Sequence, residues 1–199
     1  MLNIDPSIIA PLSIQLFAIM DPLAAIPTLL SVISNVPEKE VNKLINKAAL
    51  AIFALINAFT MAGWYILSLF GISMPAFKVA AGIILMAIAL DTLITGHKPE
   101  KLDIGEYIIV PIATPLIVGP GTMTLLLTSA KVYGIINTLI ASYIAFTLTY
   151  ITIRNARIIV KFTGETFIHG LGRFMSIIIA SFAIEMMASG INEYMSKQI

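Results

Sequence analysis

Residues 21–28 read DPLAAIPT and residues 114–122 read TPLIVGPGT. Pro22 aligns with Pro115 and Pro27 with Pro120, both at an offset of 93 residues, and each motif lies inside a stretch otherwise apolar enough to cross a bilayer. Proline in a helix interior removes a backbone donor and clashes with the preceding turn, which in lipid leaves carbonyl groups without partners. Two such interruptions at matched positions call for a common cause.

The setting is a membrane. Hydrophobic residues make up 58% of the 199 and charged residues 12%, with a mean hydropathy of +0.96. Soluble domains are about a quarter charged, so this chain lacks the polar surface to cover itself in water. A net charge of +1 excludes a basic patch large enough to hold nucleic acid. The absence of cysteine excludes disulfides, thiolate metal sites and thiol catalysis. An acid instead of basic residues in MLNIDPSIIAPLSIQLF predicts a retained first span rather than a cleaved signal peptide.

A window of about 19 residues predicts six spans, roughly 7–35, 41–70, 76–95, 106–130, 136–156 and 173–195, forming one transmembrane domain over residues 1–199. Nine of the twelve Lys and Arg residues fall in one set of connections: Lys39, Lys43, Lys47, Lys98, Lys101, Arg154, Arg157, Lys161 and Arg173. Lys78, Lys131 and Lys197 belong to the other. The positive-inside rule puts the first set in the cytoplasm and both termini outside the cell membrane.

The repeat extends beyond the prolines. Gly71 pairs with Gly164 at the same offset of 93, and KVAAGIILMAIALD from Lys78 parallels RFMSIIIASFAIEM from Arg173 at 94 to 95. Each half, about 7–95 and about 106–195, holds three spans. An odd number forces the second half to enter from the opposite side. The expected fold is therefore all-α, six transmembrane helices as two inverted three-helix repeats, with spans 1 and 4 discontinuous at the Pro-rich breaks.

Asp21–Pro22 and Thr114–Pro115 each read as an N-cap followed by proline at the first helical position, and Pro27–Thr28 and Gly119–Pro120–Gly121–Thr122 can start a half-helix a turn later. Either start leaves backbone N–H groups and a positive dipole end near the bilayer centre, a receptor for a carboxylate. All ten residues are candidate substrate contacts. Asp21 and Glu185, the acids near mid-span, are candidate proton-coupling groups. Asp91 is expected at the cytoplasmic interface, His97 and His169 in solvated loops, and Ala80, Ala81, Gly82 and Ala87 at a close helix contact. No metal or cofactor site and no enzyme motif is recognisable.

The stretches DPLAAIP, FGISMPAFKVAAGIIL (70–85), VPIATPLIVGPGT (110–122) and RFMSIIIASFAIEMMASGI (173–191) resemble the MarC family of integral membrane proteins across nearly the whole chain. The resemblance implies a six-span inner-membrane protein and, for some members, uptake of glycine, alanine and similar amino acids. With the half-helix reading, the expected function is alternating-access transport of small neutral amino acids, with a proton as the coupling ion and oligomerisation left open. The alternatives are a small-solute or ion channel and a non-transporting membrane assembly protein.

Overall fold

The computed structural model describes residues 4–33, 36–95 and 117–196, so Thr114 and Pro115 lie outside the described residues. The described residues form eight helices: α1 (Pro6–Met20), α2 (Ala25–Ile33), α3 (Glu38–Leu69), α4 (Met74–Thr95), α5 (Pro120–Tyr133), α6 (Ile135–Arg154), α7 (Ala156–Thr163) and α8 (Glu165–Ser196). No strand occurs among them.

Four helices are long and apolar enough to span a bilayer alone, within α3, α4, α6 and α8. They coincide with expected spans 2, 3, 5 and 6. The 15 residues of α1 and the 14 of α5 extend only about 22 and 21 Å, short of the roughly 30 Å hydrocarbon core. The connection expected over residues 154–173 is largely helical. There α7 packs Ala156, Ile159 and Val160 inward and leaves Ile158 and Phe162 exposed, and α8 begins eight residues before the expected span.

Local chemistry sets the ends. Asp5 caps α1, accepting from the Ser7 hydroxyl at 2.6 Å and its N–H at 2.9 Å, and Pro6 follows at the first position. These bonds hold the Asp5 carboxyl below its ordinary 3.8, the Ser7 hydroxyl contributing most. The cap is thus intact at neutral pH and is lost only as acid titrates the folded-state carboxylate. After α3, Gly71 adopts φ +66, with Gly71 N–H on Ser68 O and Ile72 N–H on Leu67 O, the two bonds of a Schellman motif. Its repeat mate Gly164 also has positive φ, +79, between α7 and α8.

The closest packing is between α4 and α8, which run antiparallel. A Cβ on Gly82 would stand 2.6 Å from Met187 Cγ and 2.8 Å from the Ala183 carbonyl, and one on Gly190 would stand 2.8 Å from the Pro75 carbonyl. Gly82 is buried at this contact as expected and Ala81 is buried, whereas Ala80 and Ala87 are exposed. Lys78 of α4 closes one end of the pair with an ion pair to Glu193 and a 3.1 Å bond to Ser189. A second pair, α3 and α6, is stitched by Tyr143 donating to Asn57 at 2.7 Å and Tyr150 donating to Asn46 at 2.9 Å, with Phe53 stacked on Tyr143 between them. The main core fills the space between α1, α2, α3, α5 and α6 around Leu16, Met20, Ile26, Leu29, Ile52 and Leu126.

Because backbone carbonyls limit the α4–α8 approach, Gly82→Ala and Gly190→Ala should each destabilise the detergent-solubilised protein by about 1–3 kcal/mol, as overpacking does. Gly170→Ala, in α8 with nothing within 4 Å, should be neutral or stabilising by about 0.5–1 kcal/mol. Thermal unfolding of the three variants checks the ranking; equal effects at Gly82 and Gly170 would refute the close contact.

Candidate functional site

The first candidate region lies between α1 and α2. Asp21, 8% exposed, adopts φ 39 and ψ 57, the left-handed region that Asp and Asn enter more readily than most residues. That backbone ends α1, with Asp21 N–H on Phe17 O at 3.1 Å. The same residue serves the next helix, since its carbonyl accepts from Ala25 N–H and its Oδ1 from Ala24 N–H, both at 3.3 Å. Asp21 therefore combines the C-cap of α1 with the capping bond of α2. Pro22 is buried in the turn, while Pro27 and Thr28, both half-buried, lie in the first turn of α2 rather than at its first position.

The second region is the start of α5. Gly119 is the N-cap and Pro120 the first helical residue, as expected from GPGT, but glycine supplies no side-chain acceptor and no side chain caps this end. The next backbone donors belong to Gly121 and Thr122, both buried. Thr122 donates its hydroxyl to Ile117 O at 2.9 Å, and Thr124 donates to Pro120 O at 2.8 Å. The Thr122 proton, expected to face a ligand, is committed to the chain in this conformation. Gly121 serves helix packing, because a Cβ there would meet Leu85 of α4 at 2.9 Å and Ile19 of α1 at 3.1 Å.

The Ile19 contact joins the two regions. Ile19 stands two residues before Asp21, so the end of α1 rests against the first turn of α5. Glu185, the other acid singled out from the sequence, is not brought to this place; it is exposed on α8. His169 lies within α8 instead of a loop, and with Ala24, Pro27, Thr92, Gly172 and Arg173 it lines a cavity of about 10 Å³ beside the first turn of α2. That space fits one water and no amino acid.

Sequence reasoning missed Thr60. Its hydroxyl, on a residue 3% exposed, has no hydrogen-bond partner among the described residues. Gly63 packs on Leu127 and Trp64 lies under Lys131 at 4.4 Å, so α3 and α5 run side by side in one direction. Thr60, one turn earlier, falls opposite the first turns of α5. A single threonine in an apolar run carries no signal that separates it from the buried hydroxyls of Ser13, Thr138 and Ser176, each bonded to a carbonyl of its own helix. Among the described residues no cluster of acids and histidines could hold a metal ion.

No solved structure matches the chain. Among proteins, it is 31% identical over 190 residues to a UPF0056 membrane protein of Methanocaldococcus jannaschii, covering 89% of this chain and 92% of the relative. A UPF0056 membrane protein of Pyrococcus horikoshii is 30% identical over 184 residues, covering 88% and 90%. The UPF0056 membrane protein YvbG of Bacillus subtilis is 31% identical over 204 residues, covering 93% and 94%. The family described as MarC family integral membrane protein matches residues 7–195. With its apolar helices and these relatives, the chain belongs to the MarC family of integral multi-pass membrane proteins.

Proposed function

We propose that the protein is a secondary transporter of small neutral amino acids that works by alternating access in the cell membrane. The observation that carries this reading is the pair of helix starts buried in the bundle, α2 behind Asp21 and α5 behind Gly119, joined through Ile19 and Gly121. The carboxylate of the substrate takes the uncapped N–H groups of Gly121 and Thr122, and its ammonium group takes Asp21 and the last carbonyls of α1. Asp21 is also the group that exchanges a coupling proton.

Two inverted halves are supported by the order of contacts. An offset of 93 to 95 carries α2 onto α5, α3 onto α6 and α4 onto α8. The contacts α3–α6 and α4–α8 join members that the offset makes equivalent, which is compatible with a two-fold axis in the membrane plane. The positive φ of Gly71 and Gly164 adds a conformational match. In this reading Lys39, Lys43, Lys47, Arg154, Arg157 and Lys161 face the cytoplasm and both termini lie outside. The space beside α2 is water-sized in this conformation, so substrate enters after the halves rock apart.

Three outcomes test the proposal. Glycine, alanine and serine should raise the unfolding temperature of the purified protein, with a gain of about 2.7 kcal/mol at a hundredfold excess over the dissociation constant. The corresponding methyl esters, lacking the carboxylate charge, should not; equal stabilisation by esters would remove the N–H receptor. Asp21→Asn keeps both the capping acceptor and the tolerance for left-handed backbone. It should fold and bind substrate yet lose proton-driven accumulation in vesicles, and unchanged accumulation would eliminate Asp21 as the coupling group. A reporter fused after Ile199 should be extracytoplasmic and one within residues 97–101 cytoplasmic; the reverse labelling would overturn the inverted arrangement.

A further inference from the structure

Helix threonines in this chain close on their own backbone. Thr92, Thr124, Thr138 and Thr152 each donate to the carbonyl four residues earlier, at 2.8 to 2.9 Å, the usual recourse of a hydroxyl in an apolar helix. Thr60 has the Ile56 carbonyl at the same place in its helix and does not use it. Its hydroxyl is without a partner among the described residues, on a side chain 3% exposed. A buried hydroxyl left bare costs stability, and here a rotation about χ1 would avoid that cost.

The packing of α3 on α5 decides where the hydroxyl faces. Ile56, Thr60, Gly63 and Leu67 are all buried, spaced 4, 3 and 4 residues apart along one stripe of α3, and Gly63 presses that stripe against Leu127 of α5. Because the two helices run in the same direction, the step from Gly63 back to Thr60 leads from Leu127 back to Thr124. A helical side chain leans toward the N-terminus of its own helix. Thr60 therefore leans toward the first turn of α5, whose Gly121 and Thr122 N–H groups lie two to three residues, about 3 to 5 Å, further back along the axis. The hydroxyls native to that turn are already used, Thr122 on Ile117 O and Thr124 on Pro120 O.

We propose that Thr60 reads the side chain of the transported amino acid and selects one that bears a hydroxyl, serine before alanine. The inference rests on the transporter reading, in which the α5 N–H groups take the carboxylate and Asp21 the ammonium group. The side chain is the part of the substrate those contacts leave unread. A threonine hydroxyl both donates and accepts, as does that of serine, so either can supply the proton. Ile56 and Gly63, a turn to either side on the same stripe, give the hydroxyl an apolar surround in which a charged side chain would stay uncompensated. Alanine reaches the same place and leaves Thr60 bare.

Shifts in the unfolding temperature of the full chain, titrated with glycine, alanine, serine and 2-aminobutyrate, test this. The last ligand matches serine in size and carries a methyl group where serine has its hydroxyl. Wild type should bind serine about tenfold more tightly than 2-aminobutyrate. Thr60→Val, alike in shape but without the hydroxyl, should abolish that preference and raise the unfolding temperature of the empty protein. Thr60→Ser should restore it, and Thr138→Val, which removes a hydroxyl bonded within α6, should keep it. A serine preference that persists in Thr60→Val, one missing from a wild type that binds glycine and alanine, or an equal loss of all four ligands in Thr60→Val would overturn the inference and leave transport standing. Stabilisation of the wild type by none of the four would overturn both.

Discussion

A bilayer offers backbone N–H and C=O groups nothing to bond to, and the whole arrangement follows from how this chain satisfies them without water. Most of the chain does so by continuous helix, and its buried hydroxyls turn back onto carbonyls of their own helix, as Ser13 does on Ile9 and Ser176 on Gly172. The interruption after Met20 needs another solution, and one residue supplies it. Asp21 ends one helix with its backbone and starts the next with its carboxylate. The start of α5 has glycine in the capping place, and among the described residues Gly121 packs against Ile19 and Leu85.

Around these interruptions the bundle is divided by stiffness. The α4–α8 pair is limited by glycine against backbone, and such a contact has one register, because a helix sliding by a residue would drive a side chain into a carbonyl. The α3–α6 pair is held by two tyrosine-to-asparagine bonds and stacked rings. The short α1, α2 and α5 lie between these pairs, with no end long enough to be fixed at both membrane faces. Under the proposed transport function, a motion that opens the interior would move the pairs as bodies and change the contacts at the short helices.

Much of this was legible in the residues. Spans 2, 3, 5 and 6 follow from unbroken apolar length, the turn after α3 from a glycine where positive φ is needed, and the interruption at Asp21 from an acid and proline where neither suits a continuous helix. What the sequence hid depends on neighbours. Gly121 looks like room for a ligand in a string of letters, yet Leu85, 36 positions away, occupies that room. Thr122 looks like a free donor until Ile117 O is found in reach. Depth along a helix can be counted, which made Glu185 a coupling candidate, but direction around it depends on which side α4 covers, and α4 covers the other one. The helical start of α8 was missed because His169 and Arg173 lower local hydropathy without lowering helix propensity.

The break at Asp21 and the start of α5 differ in chemistry. The first half contributes an acid that has capped its own helix, and the second contributes a bare helix start with glycine in the capping place. An anion alone would satisfy only the second, and a cation only the first. A zwitterion carries both charges a few ångströms apart. Under the proposed transport function, an amino acid spanning from α5 to Asp21 would place its carboxylate at the bare helix start and its ammonium group beside the acid. In the proposed transporter, the difference between the two starts is what would let them recognise both ends of the ligand, because identical ones would recognise only one.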